Sequence, residues 1–99
     1  MNDPVTLAGL RVLLALDKAQ TESGAATVDG ITIARDALDA PKLRAVEELT
    51  ALYKAGLISL DLSGESRVLP RGRDYLERAN RIAEAMAQRS EQRGRELFE

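Results

Sequence analysis

The sequence predicts a mainly helical α+β fold in which four helices carry one short β-hairpin between the third and the fourth. Apolar residues keep three- and four-residue spacing over 46–53 and again over 75–86, the signature of helices with one buried face. The period drops to two at Ile58, Leu60 and Leu62, which alternate with Ser59 and Asp61 as a strand with one buried face requires. Gly56, Gly64 and Pro70 fall where these periods change, which is where turn and stop chemistry belongs.

The first helix starts at Asp3 and Pro4, a capping carboxylate followed by proline at a first-turn position, and runs to about Gln20. Its apolar residues, Val5, Leu7, Ala8, Leu10, Val12, Leu13, Leu14, Ala15 and Leu16, cover more than one stripe, so the helix needs two partners, of which a second subunit is one option. Gly9 beside Ala8 either lets another helix approach closely or has no packing role. Thr21 to Gly30 is a loop by composition, with room for one short strand at Ala26-Thr27-Val28. A short helix follows over Thr32 to Leu38, with Ile33 and Ala37 inward. Asp39-Ala40-Pro41 breaks it and opens the third helix, Pro41 to Ala55.

On that third helix Val46, Leu49, Leu52 and Tyr53 face the core, which leaves Lys42, Arg44, Ala45 and Glu48 outward. Gly56 ends the helix. The hairpin runs from Ile58 through a Ser63-Gly64-Glu65 turn to a return strand over Ser66 to Leu69, and Pro70 stops it. The last helix spans Arg71 to about Arg93, with Tyr75, Leu76, Ala79, Ile82, Ala83 and Met86 in one stripe. It is longer than so small a domain can cover, so its outer half is expected on a second subunit. Residues 94–99 form a charged tail that frays at Gly94, with Leu97 and Phe98 able to dock.

Composition excludes more than it selects. Ninety-nine residues make one domain with a modest core, and with only three aromatics that core is aliphatic. There is no cysteine and no histidine, which removes thiolate and imidazole metal sites, thiol nucleophiles and Ser-His triads. No glycine-rich phosphate loop or catalytic carboxylate pair stands out, so the chain reads as a non-enzyme without cofactor or metal. The start carries no signal-peptide pattern and no run reaches membrane-span length, so a cytoplasmic location is expected. The net charge is −2, but it is uneven: residues 1–66 carry six basic and ten acidic side chains, residues 67–99 eight and six. Any contact with nucleic acid must come from local patches.

The strings Leu-Tyr-Lys-Ala-Gly-Leu-Ile (52–58) and Leu-Pro-Arg-Gly-Arg-Asp-Tyr-Leu-Glu (69–77), separated by a hairpin, resemble the end of the recognition helix, the wing and the following helix of winged helix-turn-helix proteins. The order of elements is similar to that of MarR- and PadR-like transcription regulators over residues 5–90. The resemblance implies the arrangement α1-β1-α2-α3-β2-β3-α4, with residues 1–93 as the domain and the short strand beside the hairpin. It implies double-stranded DNA as partner, with Lys42, Arg44, Ala45 and Glu48 toward the major groove and Arg67 on the backbone or minor groove. Arg71 and Arg73, cations in a first helical turn where the dipole opposes them, would meet phosphate. For Ala45 the matching contact is a thymine methyl, for Glu48 cytosine N4, although a carboxylate there also repels phosphate. A homodimer reading a palindrome would pair through Val5, Ala8, Gly9, Val12, Ile82, Ala83 and Met86. A centromere-binding role on a plasmid or phage is compatible, and two other classes stay open. One is a winged-helix protein-interaction module, favoured by the acidic balance and by Glu47 and Glu48. The other is a regulator with an apolar effector between the first and last helices, of which nothing identifies the effector.

Overall fold

Val12, Leu13 and Leu16 are completely buried, and the rest of the molecule is arranged around the helix that carries them. In the computed structural model, backbone is described for residues 5–98 and side chains for residues 5–88. The elements are α1 (Leu7–Ser23), β1 (Val28–Asp29), α2 (Gly30–Leu38), α3 (Lys42–Lys54), β2 (Ile58–Leu60), β3 (Glu65–Val68) and α4 (Pro70–Phe98). Helix α1 packs against α2, α3, β1, β3 and α4, which explains why its apolar residues exceed one stripe: it meets five elements of the same chain.

Local chemistry sets the boundaries. Thr6 caps α1, its hydroxyl accepting from the Gly9 N–H at 3.0 Å. The helix therefore starts later than Asp3 and Pro4 suggest; that pair lies outside the described residues. At the other end α1 continues three residues past Gln20, to Gly24 in the left-handed region (φ 67°). Asp29 caps α2 by accepting from the Thr32 N–H and hydroxyl, so α2 begins at Gly30 rather than Thr32. The glycine stop at 56 forms as expected. The Leu57 N–H donates to the Leu52 carbonyl at 3.1 Å and the Gly56 N–H to Tyr53 at 3.0 Å, a Schellman end with Leu52 and Leu57 buried beside it.

The three strands form an antiparallel sheet in the order β1-β3-β2, with Ile58 opposite Val68, Leu60 opposite Ser66, and Val28 opposite Ser66 on the other edge. The hairpin turns one to two residues earlier than the alternation suggests. Asp61 closes a three-residue loop, Leu62-Ser63-Gly64, with Gly64 at φ 91°. Its Oδ1 accepts from the Ser63 N–H and hydroxyl and from the Glu65 N–H. Leu62, expected on the buried face of β2, is instead fully exposed at the tip, because the loop takes it out of the strand before its side chain turns inward. Gly64 in turn accepts from the Gly30 N–H at 3.0 Å, which pins the tip to the start of α2.

Strand β1 is only two residues long, and a side chain completes its missing rung. Continuing the register from Val28 and Ser66 would set Ala26 opposite Val68. There the buried Gln20 carboxamide bridges the gap, Nε2 donating to the Ala26 carbonyl at 3.3 Å and Oε1 accepting from the Val68 N–H at 3.0 Å. A β3 amide left unpaired where β1 stops is thereby satisfied. Helix α4 leaves the body after Leu76 and runs on through Gly94 to Phe98, beyond the end expected near Arg93. The docking expected of Leu97 and Phe98 and the fate of Glu99 lie outside the described residues.

Candidate nucleic-acid interface

Helix α3 is the element on which most expected contacts fall, and it is turned differently from the expected phase. Ala45, Leu49 and Leu52 are completely buried, and Glu48 is 6% exposed, while Tyr53 is 53% exposed. Ala45 and Glu48 are therefore not on the outward face, and Tyr53 is not in the core. The inward stripe is 45-48-49-52, a regular helical series with a carboxylate inside it. Apolar counting discounts the glutamate and rotates the stripe toward the tyrosine.

The buried carboxylate is matched by specific partners. Glu48 Oε1 lies 2.8 Å from Arg44 Nη2, and Oε2 accepts from the Thr6 hydroxyl at 3.3 Å. Gly9 lies beside it: a Cβ there would be in ordinary contact with Glu48 Oε2 at 3.5 Å and tight only against Val5 Cγ1 at 3.3 Å. The atoms nearest Gly9 all belong to the same chain. Val5, Gly9 and Val12 are buried within the chain, which removes them from the expected subunit interface, and Ala8 is half-buried. A buried charge must be paired and hydrogen-bonded, and here the pairing ties α3 to the start of α1.

The expected cations separate into distinct places. Lys42 is exposed in the first turn of α3, whose N-cap Pro41 supplies no side-chain hydrogen bond. With Val46 and Leu49 it faces the hairpin loop, Leu60 to Gly64, across a cleft of about 260 Å³. Arg44 is half-exposed and engaged with Glu48 and, at 3.6 Å, with Glu47. Arg67 is exposed on the outer face of β3, since Ser66 and Val68 on either side point inward. Arg71 lies over Gly56 at the far end of α3, with Nη1 3.4 Å from where a Cβ of Gly56 would be. From Lys42 to Lys54 the helix spans roughly 18 Å, so Arg71 does not join Lys42. Arg73 turns to α1, its Nε 3.9 Å from Asp17. Two positions apart on a helix, side chains diverge by roughly 200°, so Arg71 and Arg73 form no common patch.

Sequence reasoning missed two exposed leucines, Leu43 on α3 and Leu62 at the loop tip. The signal for the second was present in Asp61, whose short acceptor side chain initiates the turn one residue before it. Hydrogen bonds to the ionised form hold both loop carboxyls below the ordinary carboxylate range: for Asp61 chiefly from the Ser63 hydroxyl, for Asp29 chiefly from the Thr32 hydroxyl. Among the described residues there is no acidic cluster able to hold a metal ion, and no helix is long and apolar enough to cross a membrane.

On α4, Ile82 and Met86 are 61% and 62% exposed, and Ala83 is exposed beside them. Together with Leu10 of α1 and Tyr75, Arg78 and Ala79 they line an open groove of about 470 Å³. This part of the expected subunit interface remains on the surface of a single chain. No protein-family model, curated protein or solved structure matches the chain.

Proposed function

We propose that the chain is a winged helix-turn-helix protein that binds duplex DNA as a homodimer in the cytoplasm and acts as a transcriptional regulator, a repressor reading a palindromic site. The observation that carries this reading is the placement of the exposed first turn of α3, with Lys42 across a cleft from the hairpin loop and Arg44 on the other side of the same turn. A helix whose N-terminal residues enter the major groove, flanked by a hairpin reaching the backbone, uses that juxtaposition. Lys42, Arg44 and Arg67 are the contact residues in this reading; Ala45 and Glu48 are structural, and Arg71 and Arg73 lie aside. No catalytic step is part of it.

Selection of binding sites from random duplex DNA tests the reading. Enrichment of a palindrome with half-sites about one helical turn apart is the expected result. Absence of binding to every duplex at low salt would defeat it and would favour the second reading, a protein-docking module. That alternative has its own observation: Leu43 on α3 and Leu62 at the loop tip stand exposed while Arg44 is already neutralised by two carboxylates. Centromere binding would show as enrichment of tandem sites instead of one palindrome.

A further inference from the structure

We propose that α4 pairs with α4 of a second copy in antiparallel orientation, along Tyr75, Ala79, Ile82 and Met86. This deepens the homodimer part of the function proposed above and rests on that part alone, not on DNA binding. The four residues are spaced four, three and four apart, the spacing of a and d positions, which sets them in one stripe along the helix that a partner helix can cover. The body of the chain covers only the start of this seam, where Leu76 is buried and Leu10 reaches the groove. Among the described residues, no other element covers Ile82 or Met86.

The chain exposes more surface than a compact monomer of its size needs to. A compact monomer of 10.8 kDa exposes roughly 5,500 Å², whereas this chain exposes 7281 Å². The surplus is about 1,800 Å², enough to include the roughly 800 Å² that a standard interface takes from each partner. The surplus follows from one long dimension, 57 Å against 27 and 26 Å, which the projecting α4 produces.

Orientation follows from the length of the seam. Its next a and d positions are Arg89 and Arg93, so the apolar part ends at Met86 and spans only about 17 Å. Antiparallel pairing centred between Asn80 and Arg81 sets Met86 of one copy against Tyr75 and Leu10 of the other, so each free end fills the other's groove. A flexible thioether beside an aromatic ring suits that position, and opposed helix dipoles favour it. Parallel pairing would set the two free ends against each other and leave both grooves at Leu10 open.

The native chain has no cysteine, so engineered cysteines report orientation directly. Antiparallel pairing brings positions 75 and 86 of opposite copies together, so the double variant Tyr75→Cys/Met86→Cys forms covalent dimers on mild oxidation. Met86→Cys alone does not, its two copies standing roughly 16 Å apart along the seam. Sedimentation without DNA at micromolar concentration gives two copies for the parent and for Leu62→Asp. Ile82→Asp halves the mass with helicity unchanged, and Met86→Asp does the same if Ile82→Asp fails to fold. A monomeric parent would overturn the proposal and leave the groove to a small apolar ligand or another protein. A dimeric Ile82→Asp, or ready cross-linking by Met86→Cys alone, would also overturn it. A dimer with this behaviour that binds no duplex would leave the pairing standing and defeat only the DNA reading.

Discussion

Replacing Glu48 by alanine tests the phase of α3, and with it the division of that helix into core and contact surface. Two adjacent glutamates provide an internal control: Glu47 is exposed, and Glu48 is buried between the Thr6 hydroxyl and Arg44. Hydrogen bonds to charged groups contribute about 1.5–3 kcal/mol each. Arg44 is half in water and the Thr6 bond is long, which puts both at or below the low end. Glu48→Ala should therefore cost about 2–3 kcal/mol in all, while Glu47→Ala should stay within about 0.5 kcal/mol of the parent. At this chain length that difference lowers the melting temperature by roughly 10–20 °C. Glu48→Gln, which keeps an acceptor for Thr6 and loses the charge, should fall between. Thermal melts at one fixed protein concentration decide it, since any dimer makes the midpoint concentration-dependent. If Glu48→Ala and Glu47→Ala melt within a degree or two of each other, Glu48 faces water, and the inward stripe 45-48-49-52 is wrong.

Leu49→Ala should cost about 2–5 kcal/mol as a cavity in the α1–α3 contact, whereas Tyr53→Ala on the exposed side should be nearly silent; chemical denaturation compares the two. Gln20→Leu keeps the volume and removes the rung between Ala26 and Val68, so a loss of about 1–3 kcal/mol is expected from the orphaned Val68 N–H, together with faster amide exchange at that position. Asp29 and Asp61 both have lowered folded-state pKa values, so the stability they contribute is fully present above the ordinary carboxylate pKa of about 4 and is lost as pH falls through the lower folded values. The melting temperature should accordingly fall below about pH 4, and Asp29→Asn/Asp61→Asn should flatten that fall; an unchanged profile would count against both loop networks.

The elements were legible where local chemistry decides them. Gly56, Gly64 and Pro70 act where their backbone properties place them, and the change of period at Ile58 marks a real strand. Helix rotation was less legible, because a buried ion and a surface ion have the same letter. Glu48 belongs to the core only through Arg44 four residues before it and Thr6 forty-two residues before it. Gln20 is a similar case: nothing local distinguishes a carboxamide that completes a sheet from one in water. The cluster of arginines after residue 66 misled for the opposite reason. Sequence density is not spatial density, and the first turn of α4 sends Arg71 toward α3 and Arg73 toward α1.

That redistribution leaves the proposed DNA surface with few free cations, and Glu47 then becomes its most sensitive element. Its carboxylate stands 3.6 Å from Arg44 on an exposed helix face, where an ion pair contributes little to stability. For a duplex approaching the first turn of α3, the same carboxylate partly neutralises one of three candidate contacts and repels phosphate directly. Glu47→Gln should therefore leave the melting temperature unchanged and tighten binding to any duplex several-fold at low salt. The gain should fade as salt rises, because exposed charges are screened over about 10 Å at 0.1 M. Arg44→Gln should have the opposite effect and lower the salt slope by about 0.9 for each phosphate left without its cation. Fluorescence anisotropy with one selected site and one scrambled duplex separates the terms: Glu47→Gln should strengthen both alike, since phosphate contacts position without specifying. If Glu47→Gln changes neither affinity, the exposed face of α3 does not meet DNA, and the two exposed leucines, Leu43 and Leu62, become the place to look for a protein partner.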